Sequence, residues 1–181
     1  MKKSILLWTK TTYVATFILF LLCLTFSCQQ QVKEGLTEEE AKAFVERDLE
    51  IWNGGNLALA DELYSPKFLY RPIDISEDIV GIDAFKELVK GVRTTYPDFN
   101  VKSKELIIKN DRIVNHWMTT GTNTGPLGEL PPTNKKIQIS GITIIKVVNG
   151  KIAEEWLFYN YAAIYRQLGF TITPLEEQSE Q

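Results

Sequence analysis

The chain is short of sulfur, of histidine and of positive charge. Its two cysteines, Cys23 and Cys28, both fall within the first 28 of 181 residues, and His116 is the only histidine. A domain built from the remainder holds no internal disulfide, so it must stand on its hydrophobic core alone. No metal-ligand cluster, glycine-rich phosphate loop, dinucleotide-binding fingerprint or internal repeat occurs. Lys and Arg number 20 against 23 Asp and Glu, a formal net charge of −3. This balance argues against nucleic acid as a partner, because phosphate binding relies on clustered Lys and Arg.

Long apolar runs are also scarce, and the one near the start is short of a membrane span. Tyr13 to Leu24 is uncharged and mostly apolar, whereas a spanning helix needs about 20 such residues. With Lys2, Lys3 and Lys10 before it, residues 1–27 read as an export signal. Ser27-Cys28 offers a lipoprotein-type cleavage site, although Thr25 and Phe26 match the usual lipobox only loosely. Cys28 then becomes the lipidated mature N-terminus; the alternative is an uncleaved N-terminal anchor. Either reading places the globular part outside the cytoplasm, in a bacterial periplasm or on a cell surface, touching the membrane only through its anchor. Loss of residues 1–27 removes those three lysines and no acid, leaving 154 residues and a net charge of −6. That length makes one domain with a real core. Residues 29–36 read as a polar tether, 37–170 as the domain and 171–181 as a polar tail.

Within the domain helices come first. Thr37 and Glu40 form a capping-box pattern ahead of Ala41, Phe44, Val45, Leu49 and Trp52 at helical spacing. Asn56 is placed to cap a second, short helix that Pro66 stops, and residues 81–96 carry the third amphipathic stripe. Strands follow at 99–108, 113–123, 136–148 and 152–160, rich in Val, Ile, Thr and aromatics, with turns at Asn110-Asp111 and Asn149-Gly150. A short strand is also expected at 68–71. The order gives an α+β fold: three N-terminal helices on a curved antiparallel sheet, and a short helix after it.

The stretch Asn149 to Gly169, NGKIAEEWLFYNYAAIYRQLG, is a turn, a strand and a helix in one run. If the strand is regular, Ile152, Glu154, Trp156, Phe158 and Asn160 share one face and Glu155, Leu157 and Tyr159 the other; a bulge would swap these assignments. On the regular reading Asn160 ends a largely aromatic face, and Glu154 is the candidate interior carboxylate with a raised pKa.

EEW, FYN and QLG in this stretch, with GTNTGPLGELPPTNKKIQISG at 121–141, resemble the SnoaL-like polyketide (ester) cyclases of the nuclear transport factor 2-like superfamily. The resemblance covers about residues 37–170. It implies a cone-shaped α+β barrel around a hydrophobic pocket and an acid–base cyclase that uses no metal or organic cofactor. In that family an aspartate usually stands where this chain has Asn160, and histidines often stand at Tyr70 and Asn123. Asn160 has no titratable proton near neutral pH, but its amide can hydrogen-bond to a developing oxyanion or orient a water.

His116 is then the remaining candidate general base, because histidine is the residue type that exchanges a proton near neutral pH; a solvated sheet histidine is the plainer reading. Tyr70, Trp117, Asn123, Trp156 and Phe158 are candidate ligand contacts, suited to a flat, hydrophobic or aromatic carbonyl compound. Residues 124–134 are a candidate lid. Three functions fit: a cyclase or isomerase working through Asn160 and His116, a binding module that has lost its proton-transfer group, and a homodimer-forming domain using its open sheet face.

Overall fold

The computed structural model describes residues 35–73 and 77–171. The export segment, Cys28, most of the tether and all but the first residue of the polar tail lie outside the described residues. Helix α1 spans Glu38–Gly54 and α2 spans Ala58–Leu63, followed by β1 (Tyr64–Pro72), β2 (Ile79–Val80) and α3 (Ile82–Thr95). Then come β3 (Asn100–Lys109), β4 (Arg112–Thr122), β5 (Lys136–Val148), β6 (Lys151–Tyr159) and α4 (Tyr161–Leu168). No described helix is long and apolar enough to cross a membrane.

Local chemistry accounts for most boundaries. The Thr37 N–H donates to Glu40 Oε2 at 2.9 Å and the Glu40 N–H to Thr37 Oγ1 at 3.2 Å, the reciprocal capping box that starts α1. Gly55, at φ 69°, ends it and donates its N–H to the Ile51 carbonyl. Asn149 and Gly150 both take positive φ, 52° and 72°, in the β5–β6 turn. Asn56 does not cap α2: its side chain turns back to Glu50, and Leu57 holds the cap position without a side-chain bond.

The fold class is the expected one, a curved six-stranded sheet with helices, and the sheet is not closed. Its strand order is β2-β1-β6-β5-β4-β3. Strands β3 to β6 form the expected antiparallel meander, but β1 runs parallel to β6. Periodicity marks β1 as a strand without marking the edge on which it docks. The chain leaves β1, crosses through β2 and α3, enters β3 at the far edge and returns by three hairpins, which brings β6 alongside β1 in the same direction.

One irregularity decides which side chains look inward. Val147 pairs with Ile152 but Lys146 pairs with Glu154, so Ala153 is an extra residue on β6. Beyond this bulge the two faces exchange. Ile152 and Glu155 are both buried, at 0% and 1% exposure, while Glu154 turns outward beside Lys146.

The helices cover the concave side, α1 lying on β3, α3 on β1 and α4 on β5. One buried cluster centres on Phe85, whose ring lies 4.7 Å from Tyr64, 5.1 Å from Phe68 and 5.5 Å from Trp52 between centroids. A second gathers Tyr96, Trp117, Ile137, Ile139, Ile164 and Leu168. Complete burial of such side chains stabilises by about 1.5–3 kcal/mol each. The two clusters do not merge, and a cavity takes its walls from both.

Candidate active site

The cavity holds about 210 Å³. Helix α1 contributes Asp48, Leu49 and Trp52 to its wall; β1 contributes Tyr70 and Pro72; β6 contributes Glu155, Leu157 and Tyr159. Asn115, Trp117 and Thr119 come from β4, Ile137, Ile139 and Thr143 from β5, and Tyr161 and Ile164 from α4. Leu127, in the 124–134 segment expected as a lid, also reaches the wall. Aromatic rings make much of this surface: Trp52 lies 6.2 Å from both Tyr70 and Phe99, and Tyr159 lies 6.2 Å from Trp117 and 5.4 Å from Tyr161. Lys, Arg and His are absent from the lining among the described residues.

Two carboxyl groups face this apolar space. Asp48 accepts hydrogen bonds from the Tyr64 hydroxyl and the Trp52 indole. Burial outweighs both bonds and pushes the Asp48 carboxyl up from 3.8 to about 6. Burial, with the Asp48 charge beside it, holds the Glu155 carboxyl well above the usual carboxylate range. Glu155 Oε1 is buried with no hydrogen-bond partner, as is the Tyr96 hydroxyl, which also lines the cavity. Other lining polar groups are held in place: the Trp117 indole donates to Thr143 Oγ1 at 2.9 Å, and Asn115 Oδ1 accepts from Ser103 Oγ at 2.7 Å.

Gly141 allows the Trp117 geometry. A Cβ there would stand 2.4 Å from Cζ2 of the Trp117 ring, so only glycine lets the indole lie across β5 and reach Thr143.

Of the side chains expected in a pocket, Tyr70 and Trp117 line the cavity. The others do not. Trp156 and Phe158 follow the bulge to the outer face, where Phe158 is 37% exposed and Trp156 lies 5.3 Å from the Arg71 guanidinium and 5.2 Å from that of Arg112. Glu154 accompanies them, and there its carboxyl is lowered, not raised: Lys146 bonds it at 2.8 Å and Arg71 at 2.9 Å. His116 is exposed on the outer side of β4, with Nε2 2.9 Å from Ser140 Oγ. Asn123 is buried, but its amide clasps the 124–134 loop, donating to the Gly125 carbonyl and accepting from Thr133. Asn160 is exposed at the N-cap of α4, where Oδ1 accepts from the Ala163 N–H at 3.1 Å.

Asp48 is not among the site residues expected from the sequence, and Glu155 follows the bulged alternative for β6 rather than the regular one. Asp48 did leave a signal. It lies three residues after Val45 and four before Trp52, an acid inside the apolar stripe of an amphipathic helix.

The chain matches the family model of the SnoaL-like polyketide cyclases over residues 42–168. It is 26% identical over 121 residues to the nogalonic acid methyl ester cyclase of Streptomyces nogalater, a match covering 65% of this chain and 89% of that enzyme. Among solved structures it is similar to TsrD of Streptomyces laurentii, with a TM-score of 0.67 and 20% identity over 74% of this chain and 98% of that one. A nuclear transport factor 2-like protein of Burkholderia pseudomallei matches with a TM-score of 0.61 and 14% identity over 72% and 98%. These structural likenesses show the fold.

The raised carboxyls give stability a definite pH dependence. A carboxyl with a higher pKa folded than unfolded holds its proton more tightly in the native state. Its contribution is full below the unfolded value of 3.8 and is lost as pH rises through about 6. For Asp48 the gap between 3.8 and about 6 corresponds to ~3 kcal/mol. Asp48→Asn keeps an acceptor for Tyr64 and removes the charge. In urea unfolding it should flatten the fall in stability between about pH 4 and pH 7 and raise stability near neutrality by about 1–3 kcal/mol. A pH slope equal to that of the wild type would contradict the burial of this charge.

Proposed function

Because the chain belongs to the SnoaL-like polyketide cyclase family, we propose that it is an acid–base enzyme acting on a small hydrophobic carbonyl compound, with Asp48 and Glu155 as its working pair. The observation that carries this reading is the pair itself: two buried carboxyls, both raised, on the wall of one aromatic cavity. An acid held near 6 is deprotonated at neutral pH, so Asp48 is the base that takes a proton from the carbon next to a carbonyl. Glu155, held well above that, keeps its proton and donates a hydrogen bond to the carbonyl oxygen as negative charge grows there. In ring closure the enolate carbon bonds to a second carbonyl carbon, and the oxygen of that carbonyl takes a proton from the pair. In isomerisation the proton returns from Asp48 to another carbon. Neither route uses Asn160 or His116.

The test is deuterium exchange at the activated carbon of 2-tetralone, followed by NMR. Wild-type protein should accelerate exchange, and Asp48→Asn and Glu155→Gln should each lower the rate by about 10²-fold or more. Asn160→Asp, which keeps the helix cap, should change it less than about threefold. A gain from Asn160→Asp with no loss in the other two variants would return the chemistry to the position the family usually uses. A second reading, a binding module without turnover, draws on the commitment of Asn160 to a helix cap; 2-tetralone binding without exchange would establish it.

We also propose export as a lipoprotein anchored through Cys28, on the strength of the basic start, the apolar core and Ser27-Cys28. Expressed in a bacterial host fed labelled palmitate, the chain should carry label that Cys28→Ser abolishes. Label that survives the substitution would refute this anchor.

A further inference from the structure

We propose that the cavity binds a second class of ligand, a small protonated amine, with its ammonium against Asp48 and Glu155 and its hydrocarbon part against the surrounding rings. This goes beyond the turnover of a carbonyl compound and shares with it only the premise that small molecules enter the cavity.

Three observations converge. Both acids are buried, at 6% and 1% exposure, and the lining holds no basic side chain among the described residues to answer them. Buried carboxylates are ordinarily paired with cations, because an unpaired buried charge costs several kcal/mol. Among the described residues no lining group plays that part. Next, Glu155 lines the cavity and its buried Oε1 lacks a hydrogen-bond partner, and an ammonium N–H is a donor that would satisfy it. Finally, Trp52, Tyr70 and Tyr159 present rings to the same space, and aromatic faces attract a cation most strongly once it is desolvated.

The ionisable groups facing the pair come from every side without changing this balance. Tyr64 and Tyr70 lie on β1, Tyr159 on β6 and Tyr161 on α4, with Tyr96 beyond α3. All are phenols; burial and the neighbouring acids push Tyr64 and Tyr70 well above their ordinary value, and Tyr96 is pushed up to about 12. None supplies positive charge. Among the described residues no positive side chain neutralises the pair, so an ammonium takes the place of the proton that the pair retains and the proton leaves to solvent. The same logic excludes small anions.

Isothermal titration calorimetry of the protein with three probes of one shape tests this: benzylamine, which stays protonated across the range, neutral benzyl alcohol, and anionic benzoate. Between about pH 5 and pH 8 benzylamine should bind at least about tenfold more tightly as the pair gives up protons, while benzyl alcohol changes less than about twofold. Benzoate should weaken as pH rises. Proton release with benzylamine, read from the heat in buffers of different ionisation enthalpy, should be absent with benzyl alcohol. In the double variant D48N/E155Q benzylamine should lose its pH dependence while benzyl alcohol still binds. Benzyl alcohol binding as tightly as benzylamine near pH 8, or benzylamine unaffected by the double substitution, overturns the inference and leaves the carbonyl reading standing. No binding by any probe overturns both, and the wild-type pH series decides even if the double variant does not fold.

Discussion

An extra residue in a β-strand moves every later side chain to the opposite face, and the consequences of Ala153 run through this molecule. With the bulge, Glu155, Leu157 and Tyr159 enter the cavity, and Glu154, Trp156 and Phe158 leave it. Each adjacent glutamate then receives the environment suited to one charge state. Glu154 sits among Lys146, Arg71 and Arg112 and stays ionised. Glu155 sits among rings and beside Asp48, and its carboxyl is held well above the usual carboxylate range. A regular strand would bury the charge that has partners and expose the group that has none.

The pair so formed is costly to the fold, which is consistent with a role outside stability. The Phe85 cluster and the Trp117 cluster are closed by ordinary packing, and neither needs an acid between them. Asp48 has two donors, the Tyr64 hydroxyl and the Trp52 indole, and remains raised because burial exceeds what two neutral hydrogen bonds return. Glu155 Oε1 has no donor. Strain of this kind gathers at functional sites, where groups are held in states that folding alone would not select.

Much of the architecture was legible in the sequence, because its signals are local. The Thr37/Glu40 capping box, the Asn149-Gly150 turn and the stripe of the third helix all appear where spacing placed them. The site was less legible, for three physical reasons. Ala153 carries no mark distinguishing a bulge from a regular strand position, so face parity along β6 was open. An asparagine directly before a helical run is a favoured N-cap as well as a candidate hydrogen-bonding group of a site, and the chain uses Asn160 as the cap. His116 alternates with Asn115 and Trp117 on β4; the buried face of that strand runs Ile113, Asn115, Trp117, Thr119, which sets His116 outside. Asp48 became meaningful only when β6 brought Glu155 to it from 107 residues away, a proximity that no helical spacing encodes.

Asp48 and Glu155 share one desolvated site, where burial raises both carboxyls above the exposed range. Carbon-13 NMR of labelled side-chain carboxyls, titrated with Asp48→Asn and Glu155→Gln for assignment, measures this directly. One carboxyl should titrate at about 6 and a second well above the usual carboxylate range, with each substitution altering the midpoint of the survivor. Two independent titrations near about 4, each indifferent to the other substitution, would contradict it.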